Sequence, residues 1–593
     1  MKTPSSIRTN FLPLLLAGTT VLLTLTARAE DAAKGDLRDD ASPWAFGSSA
    51  EWSDQYPKFN PLMSQAGSRW VRLWPEWSTI QPKQGEWKWE KADAILADAR
   101  KNNLRVLGNW CYFAPWTSAN GGTRKGPIKD IQFWRDYTEA SAIRYKDDIK
   151  YWEVWNEFNG SFYEGTSGAE RAKDYANLVV AAYDSVKKID PGLKIGMSVA
   201  NFDVNFLDLA IKAGAAGHFD FLCVHPYENM GALADGGEMG YLSLVGNLRD
   251  MLKANKQPAD IPLWITEVGF LAPVKPDPIA DAKQADILVK GHILSIAQGF
   301  QRLYWFEARG PAYGKNEDLG IIRADWTLRP SYHAYKTMTT LLGAEPKFLG
   351  WLDLGGGGYG FLFSGKDGNV LSAWVPPRKE IKAAFSAAVR VTDLSGQEAP
   401  LAAGAELALT TTPVFVSDVP DDLVKQAQSN LGKPFPWGGD YANAEVVTCR
   451  FGATNLENGI KQVNPKTTVV ENGLVDTCRR TDFKAGGEGR YVYLRVDPQF
   501  VPFGTKDLEI TIVAKRVAPD KVAGMGLCYE SDKGYGEVKG GGWTIPASDQ
   551  WEEHSWKVGN ANFVGQWGWN FRFDAAGSPN EFLIKEVRVK KAQ

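Results

Sequence analysis

Two runs in this sequence each carry an apolar stretch to a carboxylate: Tyr151-Trp152-Glu153-Val154-Trp155-Asn156-Glu157 and Pro262-Leu263-Trp264-Ile265-Thr266-Glu267. Two carboxyl groups facing one another across a sugar-sized opening can break a glycosidic bond. One protonates the leaving oxygen, and the other attacks the anomeric carbon when the two stand about 5 Å apart. A single Glu at the end of a strand is more often a surface or ion-paired group. Two of them, both preceded by Trp-rich runs, make a stronger signal. Glu153 shares strand parity with Glu157 and is expected deeper in the fold, in a structural role.

The elements that must position this pair follow from the pattern of the chain. Between 42 and 308, short β-rich runs alternate with helical patterns. The strands are predicted at 44–47, 70–74, 105–110, 151–155, 194–199, 219–225, 262–267 and 303–306, with helices at 91–102, 133–145, 169–189 and 282–298. Such alternation signals parallel strands joined by helices. About eight units in this length suit a closed (β/α)₈ TIM barrel. An open doubly wound sheet would carry a glycine-rich dinucleotide loop after its first strand, and the sequence has none. The two carboxylates would then end strands four and seven, nearly opposite one another on the open face of the barrel.

After Arg329-Pro330 a helix at 332–342 is expected to complete the barrel, giving a catalytic domain over 30–343. A small antiparallel β-domain is predicted at 344–419, a linker with at most a short helix at 420–441, and a C-terminal β-sandwich, jelly-roll or galactose-binding-like, at 442–593. Trp543, Trp551, Trp556, Trp567 and Trp569 make the last a possible carbohydrate-binding module.

Trp155-Asn156-Glu157 with Thr266-Glu267 resembles glycoside hydrolase clan A, the retaining (β/α)₈ glycosidases, over 42–342. The small β-domain makes family thirty-nine a plausible relative; families five and thirty remain open, because Phe158 stands where many relatives have Pro. The resemblance implies Glu157 as acid/base and Glu267 as nucleophile. It implies Arg72 as the holder of the nucleophile, His225 and Tyr227 as the strand-six pair beside it, and Trp305 as the floor of a sugar subsite. Asn156 becomes the expected partner of the sugar 2-hydroxyl. Arg72 and Tyr227 can supply the cation and donor that an attacking carboxylate needs. Glu157 must begin protonated, which a less polar niche beside Trp155 or Phe158 would favour. Glu307 and Arg309 follow Trp305 onto the binding face, where Glu307 is a candidate for substrate selection. Trp74, Trp77, Trp110, Tyr112, Trp116, Phe158 and Tyr163 are rim aromatics, with Trp74 and Trp110 expected against sugar.

Composition limits the alternatives. The formal charge of −3 offers no basic surplus for a phosphate backbone, which argues against nucleic acid as the main partner. The 23 Trp and 20 Tyr suit the apolar faces of sugar rings, so an oligosaccharide or polysaccharide is the expected partner. Five His, none spaced as metal ligands, imply no metal, and no cofactor motif is present. Lys2 and Arg8, an apolar run over 11–25 and Ala27-Arg28-Ala29 read as a signal peptide at 1–29, giving a secreted or periplasmic protein. No later run is long enough for a membrane span. Cys449 and Cys478 could pair in an oxidising compartment. Oligomeric state, the sugar, and exo versus endo action have no signal. Rival readings are a transglycosylase and a non-catalytic glycan-binding protein on the same barrel.

Overall fold

The structure is a computed structural model that describes residues 38–49, 54–310, 316–377, 379–471 and 478–592. The segment read as a signal peptide, 1–29, lies outside these residues. Eight parallel strands close into a barrel: β1 (Trp44–Gly47), β2 (Trp70–Arg72), β3 (Arg105–Trp110), β4 (Tyr151–Val154), β5 (Lys194–Ala200), β6 (Phe221–His225), β7 (Leu263–Val268) and β8 (Arg302–Phe306), with β8 pairing back onto β1. Helices including Glu90–Lys101, Ile131–Tyr145, Gly168–Ile189 and Pro278–Gln298 form the outer layer. The barrel and the antiparallel C-terminal sheets agree with the fold class expected from the sequence.

Alternation along the strands sorts the side chains into layers, because successive residues of a strand face opposite ways. Ala45, Trp70, Leu107, Phe221, Cys223, Trp264 and Tyr304 pack together as one interior cluster. The Arg302 guanidinium lies 4.2 Å from the Trp70 ring centre and 4.3 Å from that of Trp264, closing this apolar plug. Two residues further along the same strands come Arg72, Asn109, Glu153, His225, Thr266 and Phe306. The barrel interior is therefore aromatic below and polar above.

The opposite parity faces the helices. Trp110 and Trp152 stack there at 4.5 Å with an interplanar angle of 7°. Gly108 makes room for them: a Cβ at that position would lie 2.3 Å from the Trp152 ring. No side chain fits without moving the stack.

Beyond the barrel, Lys347–Asp353, Tyr359–Gly365, Gly368–Trp374, Val389–Thr392, Glu398–Leu401 and Val414–Ser417 make a six-stranded antiparallel sheet. The segment read as a linker is not a loose spacer. It forms the helix Asp421–Asn430, and its Trp437 returns to that sheet, 4.8 Å from Tyr359 and 5.3 Å from Phe361. Leu423, Val424 and Ala427 of the helix pack into the core of the same small domain, while Leu431 stays exposed.

In the C-terminal region, Lys506–Arg516 pairs with Glu552–Ala561 and Phe582–Lys591, while Gly524–Ser531 pairs with Phe571–Asp574. Leu508, Ile510, Ile512, Leu527, Phe571, Phe573, Val587 and Val589 share its core. Cys449 is a buried thiol, raised well above its ordinary range by burial, rather than half of a disulfide.

This region is seated on the loops at the open end of the barrel. Asn562 Nδ2 donates to Asn205 Oδ1 at 2.6 Å, and Asn205 Nδ2 donates to the Ser531 carbonyl at 3.1 Å. Arg495 donates to Asn229 Oδ1 at 2.8 Å and to the Gly240 carbonyl at 3.0 Å. Among the described residues, no helix is long and apolar enough to cross a membrane.

Candidate active site

The chain leaves β4 through an unusual backbone. Trp155 has φ 69° and Glu157 has φ 55°, left-handed values that L-residues rarely take. Asn109 holds the bend by donating to the Trp155 carbonyl at 2.7 Å. The turn carries Asn156 and Glu157 back over the barrel mouth, toward the end of β7. There one oxygen each of Glu157 and Glu267 and a His225 ring nitrogen all lie within 4.8 Å of one another.

The polar layer beneath holds this pair. Arg72 is buried and divides its guanidinium three ways. Nε donates to Glu153 Oε2 at 2.6 Å, Nη1 to Glu267 Oε2 at 2.8 Å, and Nη2 to Asn156 Oδ1 at 2.8 Å. One side chain thus holds Glu267 and pairs with Glu153 at once. Burial disfavours the Arg72 charge, but Glu153 and Glu267 outweigh it and hold the guanidinium charged. Burial likewise disfavours the Glu153 carboxylate; Arg72 and His225 reverse this and bring it to about 2.

Tyr227 Oη donates to Glu267 Oε1 at 2.9 Å. Burial, then the charges of Glu267 and Glu157, push this phenol far above its ordinary range, so it remains a donor. His225 places Nδ1 3.0 Å from Glu157 Oε1 and Nε2 3.1 Å from Thr266 Oγ1. Burial lowers its pKa, but Glu267, Glu153 and Glu157 prevail and lift it to about 9.

Two carboxylates and an imidazole have the composition of a metal site, but this set is already committed. The surrounding carboxylates raise the imidazole's pKa and so favour a proton over a metal on its ring nitrogens. Arg72 and Tyr227 occupy both Glu267 oxygens. The donor chemistry fits a pair that handles protons.

A cavity of about 260 Å³ opens over the pair. Arg72, Asn156, Glu157 and Glu267 line it together with Trp74, as do Glu76, Tyr112, Arg124, Phe162 and Phe306. Asn156 Nδ2 donates to Tyr112 Oη at 2.9 Å, and Arg124 lies over the Tyr112 ring at 4.7 Å while pairing with Glu76.

Three expected contacts fall elsewhere. Trp110 is fully buried on the helix-facing side of β3. Trp305 faces outward from β8, stacked on His292 of the helix Pro278–Gln298 at 6.5 Å, while Phe306 takes the cavity wall. Strand parity is the reason in both cases, since Asn109 and Tyr304 claim the interior. Glu307 is buried, its backbone bonded to Leu319 and Ile321, and does not line the cavity. Arg309 turns away to the Ala324 carbonyl and the Trp326 ring. Of the other rim aromatics, Tyr112 lines the cavity; Trp77, Phe158 and Tyr163 are buried in packing.

Sequence reasoning missed Glu76, Arg124, Phe162 and Phe306. Only Phe306 had a signal, its parity with Tyr304; the other three come from loops without a period.

No protein-family model matches the chain. It is 30% identical over 95 residues to endo-1,4-beta-xylanase A of Halalkalibacterium halodurans, a match covering 13% of this chain and 24% of that protein. It is 34% identical over 86 residues to an endo-1,4-beta-xylanase/feruloyl esterase of Xylanibacter ruminicola, covering 13% of this chain and 11% of that one. The chain therefore spans at most about a quarter of the length of these curated relatives. Among solved structures, a family 39 glycoside hydrolase from Bacteroides cellulosilyticus WH2 superposes with a TM-score of 0.51 at 19% identity, over 63% of this chain and 81% of that one. That likeness is one of fold, and it agrees with the barrel family the sequence resembles.

Proposed function

We propose that the protein is a retaining glycoside hydrolase that cleaves β-linked glycans by double displacement, with Glu267 as nucleophile and Glu157 as acid/base. The observation that carries this reading is the approach of the two carboxyl groups to within 4.8 Å over a shared cavity. Direct attack on a sugar carbon needs a separation of about 5–5.5 Å, whereas an inverting pair needs about 6.5–9.5 Å to admit a water.

In the first step Glu157 gives its proton to the glycosidic oxygen, the bond from that oxygen to the anomeric carbon breaks, and a Glu267 oxygen bonds to the carbon. Arg72 and Tyr227 aim the attacking oxygen and compensate its charge. In the second step Glu157 takes a proton from water, the water oxygen bonds to the same carbon, and Glu267 is released. Two inversions give net retention. Asn156, fixed between Arg72 and Tyr112, is placed to meet the 2-hydroxyl of the sugar. Trp74, Tyr112 and Phe306 offer it aromatic walls.

Both curated relatives are named as endo-1,4-β-xylanases, which makes β-1,4-xylan the first polymer to test. The export signal at 1–29 fits a polymeric substrate outside the cytoplasm. The test is hydrolysis of a panel of β-linked oligosaccharides followed by NMR at early times. The β-anomer should form first and then mutarotate, and Glu267→Ala should abolish turnover without loss of fold. The α-anomer forming first, or normal turnover by Glu267→Ala, would overturn the proposal.

A further inference from the structure

The cavity draws its lining from the ends of β1 to β4, β7 and β8, and none of its lining residues comes from the ends of β5 or β6. Over β5 and β6 the rim is built differently. Asn201, just past β5, has φ 56°, and its carbonyl accepts the backbone N–H of His225, the residue that holds Glu157. With its amide turned to satisfy both neighbours, Asn201 donates to Glu228 at 3.0 Å and accepts from Trp567 Nε1 at 3.1 Å. Trp567 belongs to the C-terminal sandwich. The same sandwich loop reaches the barrel again where the Phe202 N–H donates to the Gln566 carbonyl at 3.4 Å.

Trp567 is fixed and yet open. Its indole stacks on Tyr535 at 4.7 Å with an interplanar angle of 14°. Its backbone N–H donates to Tyr535 Oη, which in turn donates to the Trp569 carbonyl at 2.6 Å. It is nevertheless 44% exposed, an unusual degree for so large an apolar ring. Glu228, packed beside it, feels both burial and the charge of Glu157, which lift it to about 7. A flat ring held rigid next to a carboxyl group and an amide is the combination that receives a pyranose: C–H groups over the ring, hydroxyls on the polar atoms.

We propose that Trp567, with Glu228 and Asn201, forms a sugar-binding platform on the leaving-group side of the cleft, contributed by the C-terminal sandwich. This rests on the glycosidase reading. The group that protonates the leaving oxygen must face the departing part of the substrate. A glycan that fills the cavity and continues past Glu157 passes over β5 and β6, where Trp567 stands. The sandwich thereby acts as a wall of the cleft and selects for chains long enough to reach it.

The test is hydrolysis of β-1,4-linked xylo-, cello- and manno-oligosaccharides and β-linked galacto-oligosaccharides of two to six units by the full chain. Wild type, Trp567→Ala and Trp567→Phe are compared at each length. In the wild type, kcat/KM should rise with each added unit until the platform is covered. Trp567→Ala should lose about tenfold on the longest chains, mainly through KM, and Trp567→Phe should recover most of it. The same length profile in wild type and Trp567→Ala would overturn the platform alone. A wild type inert on every chain would overturn the glycosidase reading, and the platform with it.

Discussion

His225 Nδ1 lies 3.0 Å from Glu157 Oε1, and the same ring reaches Thr266 with its other nitrogen, so one imidazole ties the end of β4 to the end of β7. Three carboxylates surround it, which is why its pKa rises from 6.5 to about 9 despite burial. A folded-state value above the ordinary one means the stabilisation is complete below pH 6.5 and is lost as pH climbs through 9. Its size is on the order of 3 kcal/mol. Melting temperatures of wild type and His225→Gln should therefore differ most at pH 5–6 and converge above pH 9. A gap that stays constant across that range would exclude a protonated His225.

Arg72 carries three acceptors on one guanidinium. Arg72→Lys keeps the charge but cannot serve all three, so kcat/KM should fall by about a hundredfold or more while the fold persists. Arg72→Ala leaves Glu153 buried with its main counter-charge gone and should cost about 3–5 kcal/mol of stability. Near-normal turnover by the lysine variant would argue against a role for the fork geometry.

The acid/base role proposed for Glu157 has its own signature. Glu157→Ala should lose most activity on glycosides with poor leaving groups and least on activated aryl glycosides, where protonation matters little. Azide should restore turnover on the activated substrates and yield a β-glycosyl azide, detectable by NMR. Equal loss on all substrates without rescue would count against the assignment.

Gly269 closes the end of β7 against β8. A Cβ there would lie 1.9 Å from the Phe306 carbonyl oxygen. Gly269→Ala should displace the strand end that carries Phe306 and, next door, Glu267. We expect activity to collapse along with a stability loss of about 1–3 kcal/mol. Gly246→Ala is the comparison: it sits in the helix Leu244–Ala254 with open space around its Cβ position and should gain about 0.5–1 kcal/mol. Unfolding curves and kcat on the two variants decide the matter.

Arg495 is partly buried at the seam between sandwich and barrel, where desolvation lowers its pKa. It bonds to Asn229 and the Gly240 carbonyl, and Lys461 adds a second charged link across that seam by donating to the Gly236 carbonyl at 2.6 Å. Arg495→Ala should split a single calorimetric transition into two. One unchanged transition would show that the remaining bonds across the seam, from Asn562 and Lys461, suffice.

Much of the fold was legible because the barrel strands are short, apolar and bounded by turns. The expected β1, at 44–47, and β3, at 105–110, coincide with the observed strands, and the others differ by one or two residues at their ends. The facing carboxyl pair, the proposed catalytic groups, was legible for the same reason, since each Glu lies at or just past the end of a readable strand. Trp110 and Trp305 were misplaced because their bulk and aromaticity were weighed above parity; counting from Glu153 or Trp70 by twos would have turned both outward. The loop residues Glu76 and Arg124 meet only in three dimensions, 48 positions apart, and no periodicity reports such a meeting. The short edge strand Ile460–Val463 was invisible, because a half-buried edge needs little apolar patterning.

The seam of Asn205, Asn562 and Arg495 has a consequence for how a polymer would be held. An accessory module on a flexible tether finds its partner chain at an effective concentration set by tether length, and each engagement freezes the tether anew. Here that ordering is completed once, during folding. Grip on a long substrate would thus depend on neither spacer length nor spacer stiffness, and grafting this module onto another barrel would transplant the ring of Trp567 without the footing that aims it.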